Sequence, residues 1–483
     1  MMKFIIYISV LVILFFTLIS SCAVNPVTGK KEFMLLSESD EIKMGQQADK
    51  QVVQMYGIYA DENIAEYIDN LGQKMAKISH RPHLKYEFKV MDSPIINAFA
   101  VPGGYVYLTR GILSYLNSEA ELAGVMGHEI GHVTARHSAQ KYSETSLAQL
   151  GLGVGSMISE EFASFAGLAA QGLGLLFLRF SRDDERQSDD LGVEYATKIG
   201  YDAGEMANFF KTLDKMGGDK KQGGLPDWFS THPNPADRVI AVQNESEKIQ
   251  KKLNTTNLKI NRDVYLNKIN GLIFGENPRQ GFVDNAIFYH PDMKFQFPIP
   301  ADWKVTNLPS QVQIISPDEK GIIVFSLSET KSYKTAADQF ISKFKASVAK
   351  DEVVKVNGLP ARKVFSEISD GSNVLRVQSY FIEKSGRVFV FHGFAQRGYF
   401  DSHQISFSKT MMGFQQLKDK LKLNIQPDRI QIKKVSKAGT LNQVLKSINI
   451  ADDKREETAL LNGRALGDRI EANTLIKTIV RGN

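Results

Sequence analysis

Ser118-Glu119-Ala120-Glu121-Leu122-Ala123-Gly124-Val125-Met126-Gly127-His128-Glu129-Ile130-Gly131-His132-Val133 opens with a serine followed three residues later by a glutamate, the reciprocal capping pattern that starts a helix. At about 100° per residue, His128 and His132 fall within about 40° of each other on one face. Leu122, Met126, Ile130 and Val133 gather on a different face, suited to a core. The two imidazoles can therefore converge on one ion. Gly124 and Gly131 flank the histidine face, each costing roughly 1 kcal/mol in helix propensity; they leave room for a close neighbour.

His128-Glu129-Ile130-Gly131-His132 is an HExxH motif, in which neutral imidazoles suit zinc and the adjacent carboxylate can reach a metal-bound water. A zinc site of this kind needs a third protein ligand and an open position. Downstream, Ser181-Arg182-Asp183-Asp184-Glu185-Arg186-Gln187-Ser188-Asp189 supplies a candidate. Ser181 is the expected N-cap of a helix running to about Ile199 and stopping at Gly200, which puts Glu185 and Asp189 one turn apart on the same face. Glu185 is the expected third ligand. Asp189 is expected to accept the other N–H of a ligating histidine, the usual way such a ring is oriented. The site would hold one Zn2+ per chain, with Glu129 acting first as general base and then as general acid.

Four separated stretches carry a family resemblance: Asn97-Ala98-Phe99-Ala100 with Pro102-Gly103-Gly104, the HExxH with His137 following, Ser181 through Asp189, and Thr231-His232-Pro233 ending in Arg238. Together they resemble the gluzincin metallopeptidase family that contains the CAAX prenyl endopeptidase, the HtpX heat-shock protease and the periplasmic chaperone-protease BepA. The resemblance covers roughly Asn25 to Val242 and departs at Ser188, where that family usually has alanine. It implies His128, His132 and Glu185 as zinc ligands and Glu129 as the catalytic base. It further implies that Asn97 and Ala98 lie on an edge strand that pairs with extended polypeptide substrates. His232 and Arg238 are implied as catalytic residues of an active-site loop, where the histidine gates the open metal position or helps to stabilise an oxyanion, with Arg238 the alternative donor to that oxyanion.

The 483 residues, net charge +5, 43% hydrophobic and 23% charged, describe a largely soluble multidomain chain, and no dense basic tract with aromatics points to nucleic acid. Lys3 precedes an apolar run from Phe4 to Ile19 and then Ser20-Ser21-Cys22, the layout of a signal peptide, and Ile19-Ser20-Ser21-Cys22 resembles a bacterial lipobox. The expectation is an exported lipoprotein anchored to a membrane through lipidated Cys22, in the cell envelope, on the periplasmic face of the outer membrane. A lone cysteine excludes intramolecular disulfides. The organisation expected is a signal peptide (1–21), a mainly α, zincin-like peptidase domain with a small sheet (22–255) bounded by the charged stretch Glu245 to Lys252, an α+β domain (256–425) with turns at Asn357-Gly358, Asp370-Gly371 and Ser385-Gly386 and one helix at about Thr335 to Ala349, and a small C-terminal α+β module (426–483).

Gly439-Thr440-Leu441, Leu461-Asn462-Gly463 and Ile470-Glu471-Ala472-Asn473-Thr474-Leu475-Ile476 resemble parts of a LysM-like module, which implies contact with peptidoglycan or envelope proteins. The apolar segment Leu147 to Leu178 reads as core hairpin helices or a lid. His80, His83, His137, His290, His392 and His403 lack partner spacing and read as structural or surface residues. The functional expectation is an endopeptidase for misfolded or misassembled envelope proteins; the alternative is a gated chaperone or assembly factor with little constitutive proteolysis, and His232 is the residue that separates the two.

Overall fold

The computed structural model describes residues 22–151, 179–218, 228–232, 235–369 and 373–482. The signal-peptide and lipobox residues before Cys22, residues 152–178 of the apolar segment, Pro233 and the expected turn at Asp370-Gly371 lie outside them.

The hairpin β1 (Cys22–Val24) and β2 (Lys31–Phe33) leads into helices α1 (Glu38–Tyr56) and α2 (Glu62–Lys77). Strands β3 (Glu87–Met91), β4 (Ala98–Val101) and β5 (Tyr105–Thr109) form a sheet of order β3-β5-β4, with β4 antiparallel to β5 at its edge. Helices α3 (Arg110–Tyr115), α4 (Glu119–Thr134), α5 (His137–Gly151), α6 (Arg182–Lys198), α7 (Met206–Gly218), α8 (Trp228–Thr231) and α9 (Pro235–Leu253) follow. Leu122, Met126 and Ile130 of α4 enter a core with Ile68, Met75, Val106 and Leu108. The face expected from periodicity is thus the one that α2 and the sheet cover.

That core also takes Tyr265, Leu266, Ile269, Leu272 and Ile273 from helix α10 (Arg262–Lys268) and the turn after it. Tyr265 OH donates to Leu113 O at 2.5 Å, far inside the first body. The break in packing therefore falls near residue 275 and not at 256. The charged run Glu245 to Lys252 that suggested a boundary is the solvent side of α9, whose Val242 and Ile249 are buried.

Beyond it, strands β6 (Phe282–Asp284), β7 (Ile287–His290), β8 (Phe295–Pro298), β9 (Lys304–Asn307), β10 (Gln311–Ile315) and β11 (Ile322–Leu327) precede helix α11 (Tyr333–Lys343). Strands β12 (Ser347–Val356), β13 (Leu359–Ser369), β14 (Val374–Lys384) and β15 (Arg387–Gln396), helix α12 (Arg397–Met412) and the short β16 (Gln415–Gln416) complete an α+β unit. Its sheets have the orders β12-β13-β14-β15-β11-β10-β9 and β16-β8-β7-β6 around a phenylalanine-rich core. The helix expected at Thr335 to Ala349 ends earlier, at Lys343, because the chain from Ser347 is drawn into pairing with β13. Helix α12, a second one, escaped the sequence reading.

After α13 (Lys420–Asn424), the last unit pairs β17 (Arg429–Lys434) with β20 (Leu475–Val480) and β18 (Gly439–Thr440) with β19 (Arg469–Ile470), holding α14 (Leu441–Ser447) and α15 (Asp452–Leu461) between them. Lys477 fastens it to the first body: the ammonium is wholly buried and donates to Ser114 O at 2.7 Å and Leu116 O at 2.8 Å. Among the described residues no helix is long and apolar enough to cross a membrane.

Candidate metal centre

Ser118 caps α4 by accepting from Glu121 N at 3.1 Å. The expected return arm lands one residue earlier, with Asn117 N donating to Glu121 Oε2 at 2.7 Å. Ser181 caps α6 and makes the full reciprocal pair with Asp184. The two helices then touch backbone to backbone. A Cβ on Gly192 would sit 2.9 Å from His128 N, one on Gly127 2.9 Å from Gly192 Cα, and one on Gly131 3.1 Å from Ser188 Cα. Gly131 thus makes room for α6, while Gly124 makes room for Met206. Only small residues permit this approach, so serine serves at 188 as alanine would.

The contact brings His128, His132, Glu185 and His232 together, with one donor atom from each lying within 4.8 Å of the others. The Nε2 atoms of His128 and His132 face each other at 3.0 Å, and Glu185 Oε1 lies 3.5 Å from His132 Nε2. Two imidazole nitrogens on one tetrahedral zinc at about 2.05 Å stand roughly 3.3 Å apart, so this donor set fits such an ion. The set is two nitrogens and a carboxylate, with His232 in the fourth position: its Nδ1 is 2.8 Å from Glu185 Oε1 and 3.3 Å from His128 Nε2. Glu129 Oε1 and His232 Nε2 are buried without a hydrogen-bond partner, and Glu185 Oε2 has no hydrogen bond beyond its ion pair with Arg238. Atoms so placed cost free energy unless something binds them.

Burial drives the His128 ring down to about 4 against the pull of Asp189, and holds His132 well below its ordinary value, so both rings are neutral at pH 7, the form that can ligate a metal. Burial lifts the Glu129 carboxyl to about 7, with His232 acting in the opposite direction. Burial also opposes ionisation of Glu185, but His232 and Arg238 overcome it and hold this carboxylate well below the usual range. His232 is raised, because Glu185 and Glu129 outweigh its own burial.

Around these atoms a further layer fixes orientation. Asp189 Oδ1 lies 2.9 Å from His128 Nδ1. Arg238 bridges two carboxylates: its Nε and Nη2 donate to Asp189 and its Nη1 pairs with Glu185 Oε2 at 2.8 Å. The guanidinium stacks 4.3 Å over Phe210, so it bridges the two carboxylates from a fixed position. His137, without partner spacing in the sequence, finds partners through the fold: its Nδ1 lies 2.9 Å from His132 Nδ1 and its Nε2 2.8 Å from Gln187 Oε1. Arg136, at φ +63°, breaks the helix and swings His137 back under His132. Trp228, also unforeseen, stacks on His232 at 4.3 Å and donates its backbone N–H to Ile96 O at 3.2 Å. Asn97 and Ala98 are buried at the start of β4; Asn97 O accepts from Thr109 N at 3.0 Å.

Residues 62–246 match Peptidase family M48. The beta-barrel assembly-enhancing protease of Escherichia coli (strain K12) is 28% identical over 235 residues, 47% of this chain and 47% of that one. A Vibrio cholerae protein provisionally given the same name is 36% identical over 188 residues, 37% of this chain and 38% of its own. The mitochondrial metalloendopeptidase OMA1 of Arabidopsis thaliana is 32% identical over 174 residues, 36% of this chain and 34% of its own. The chain thus spans less than half the length of each of these curated relatives. Among solved structures, cyanobacterial PsbP from Synechocystis aligns at a TM-score of 0.25 and 13% identity over 28% of this chain and 96% of its own, below what establishes a shared fold.

Proposed function

From the match of residues 62–246 to peptidase family M48, we propose that the chain is a zinc-dependent endopeptidase acting on cell-envelope proteins. The observation that carries this reading is the convergence of His128, His132 and Glu185 beside a buried, unpartnered Glu129 oxygen. These three residues would hold one zinc ion, whose contribution when bound would be Lewis acidity toward a scissile carbonyl and toward a water. Glu129, lifted by burial to about 7, is matched to take a proton from that water and return it to the leaving amine. Asp189 and His137 hold the ligating rings, and Arg238 holds Asp189 and Glu185. The free edge of β4, beginning at Asn97 and Ala98, takes an extended substrate backbone by strand addition.

His232 favours a second element of the reading. With its ring among the ligand atoms and Trp228 stacked behind it, it closes the fourth position until the α8 segment moves. A chain at rest in this state is a gated peptidase, and the gated chaperone or assembly factor is its limiting case. The relatives named for beta-barrel assembly support misfolded or misassembled envelope proteins as substrates. A lipobox-like sequence at Cys22 supports an export signal and a lipid anchor on the periplasmic side of the outer membrane, and the LysM-like positions of the last unit support contact with peptidoglycan.

The deciding measurement is zinc content together with casein hydrolysis for the wild type and Glu129→Gln. One zinc in both and cleavage by the wild type alone is expected. Absence of zinc, or cleavage that survives in Glu129→Gln, overturns the proposal.

A further inference from the structure

A cleft of about 1050 Å³ lies where the peptidase body meets the α+β unit. Ser93, Pro94 and Ile95 line it from one side, Phe282 and Val283 of β6 and Val305 to Asn307 of β9 from the other. Both strands are the outermost of their sheets. Among the described residues no strand pairs with the outward edges of β6 and β9, which Asn307 Nδ2 ties together by donating to Gln280 O and Gly281 O, so two open strand edges flank the cleft. Its walls are apolar: Ile95, Val283 and Leu327 are 36%, 44% and 42% exposed there, over the rings of Phe288, Phe295 and Phe325. The charged groups along it, Glu276, Asp292, Arg110 and Arg387, are of both signs, which selects against a phosphate-bearing ligand.

The cleft also reaches the approach to β4. Ile95, in the cleft, stands three residues before β4, and Val101 and Pro102, at the other end of β4, lie against His132. Four residues of strand span roughly 13 Å. A polypeptide paired along β4 would therefore leave the metal site at the mouth of the cleft, where two further edges and an apolar wall await it.

We propose that this cleft is a second binding site for substrate, taking an extended, apolar-rich stretch of the same polypeptide that β4 presents to the metal. The inference rests on the peptidase reading for what happens at the metal, but binding in the cleft needs no hydrolysis. It makes the chain select unfolded proteins over short peptides, because a folded protein offers neither a free backbone nor enough reach to fill both sites. Strand edges supply affinity without sequence demands, and the apolar walls add a preference for segments that belong in a protein core.

The test uses the full chain carrying Glu129→Gln, with fluorescein-labelled, reduced and carboxymethylated α-lactalbumin as a permanently unfolded probe followed by anisotropy. Val283→Lys together with Leu327→Lys, both at partly exposed positions, should weaken binding about tenfold. In the active chain the same pair should raise KM for the unfolded protein and leave the cleavage of a hexapeptide unchanged. An unchanged Kd overturns the proposal. Should the double variant fold poorly, benzoylphenylalanine placed at Thr306 provides an independent reading: it should crosslink the probe, while the same group at Ile240 should not. Crosslinking to a second copy of the chain, or no crosslink, counts against the cleft. A chain that lacks zinc or cleavage but keeps cleft-dependent binding would lose the peptidase reading alone; a peptidase with unaltered binding would lose the cleft alone.

Discussion

Arg238 holds Asp189 through two nitrogens, Nε to Oδ2 at 2.7 Å and Nη2 to Oδ1 at 2.6 Å, and the same carboxylate lies 2.9 Å from His128 Nδ1. One guanidinium therefore positions a metal-facing ring at second hand while its remaining nitrogen steadies Glu185. Arg238→Ala leaves two buried carboxylates uncompensated, a loss worth about 3–5 kcal/mol. It should lower zinc affinity by about 10–100-fold, the range seen when such supporting partners are removed. Chelator competition and urea unfolding measure the two effects. Arg238→Lys should restore only part of either, because an ammonium cannot reproduce the two-point grip; full rescue by lysine would mean that charge alone is required.

His232→Ala should keep zinc, since His128, His132 and Glu185 remain, and should raise the turnover of a short quenched peptide per bound zinc. The reason is positional: Nδ1 sits 3.3 Å from His128 Nε2, in the space that the proposed mechanism reserves for a substrate carbonyl. A fall in turnover with zinc retained would assign the ring a donor role in catalysis and remove the gate.

Local signals in the sequence were enough to bring out the helix of His128 and His132, the cap at Ser181 and the pairing of Glu185 with Asp189, because caps and helical periodicity act within a few residues. Contacts that depend on the path of the chain were not. His137 reaches His132 only because Arg136 takes a left-handed conformation, and the sole hint was a third histidine five residues past the motif. Trp228 meets His232 within one short helix, which no periodicity marks. Helix α12 buries Phe400, Phe407, Thr410 and Met411 but keeps Ile405 81% exposed, so its apolar residues do not trace one clean stripe. The run Glu245 to Lys252 misled in the opposite sense, since a charged helix face and a charged linker share one composition.

Gly192→Ala tests whether the approach of α6 to α4 sets the metal site. The added carbon would meet His128 N at 2.9 Å and Gly124 O at 3.0 Å, both backbone atoms that cannot rotate away. Overpacking of this kind costs about 1–3 kcal/mol, and relief requires α6 to back off, carrying Glu185 with it. Reduced zinc affinity alongside reduced stability is the expected result. Gly398→Ala, in α12 with nothing within 4 Å of the new carbon, is the control and should be neutral or stabilising by up to about 1 kcal/mol. Equal zinc affinity in both variants would separate helix packing from ligand placement.

His392 predicts an acid sensitivity that belongs to the α+β unit and not to the metal. Its ring is stacked on Phe340 at 4.6 Å, Ser379 Oγ lies 2.8 Å from Nδ1, and burial drives it down from 6.5 to about 3. Below pH 6.5 the unfolded chain takes up a proton that the folded one refuses until about pH 3, so stability should fall as the pH drops through that window. The slope is about 1.4 kcal/mol per pH unit, giving a loss on the order of 2 kcal/mol at pH 5 relative to neutrality. His290, lowered by burial to about 4, acts in the same direction over a narrower range. Trp303, packed edge-on to Phe407, reports unfolding of this unit when Trp228 is replaced by phenylalanine. Urea midpoints between pH 7 and 5 should decline less steeply in His392→Gln than in the parent, whatever the variant's absolute stability at pH 7. Parallel slopes would show that protonation of this ring is not what acid acts upon.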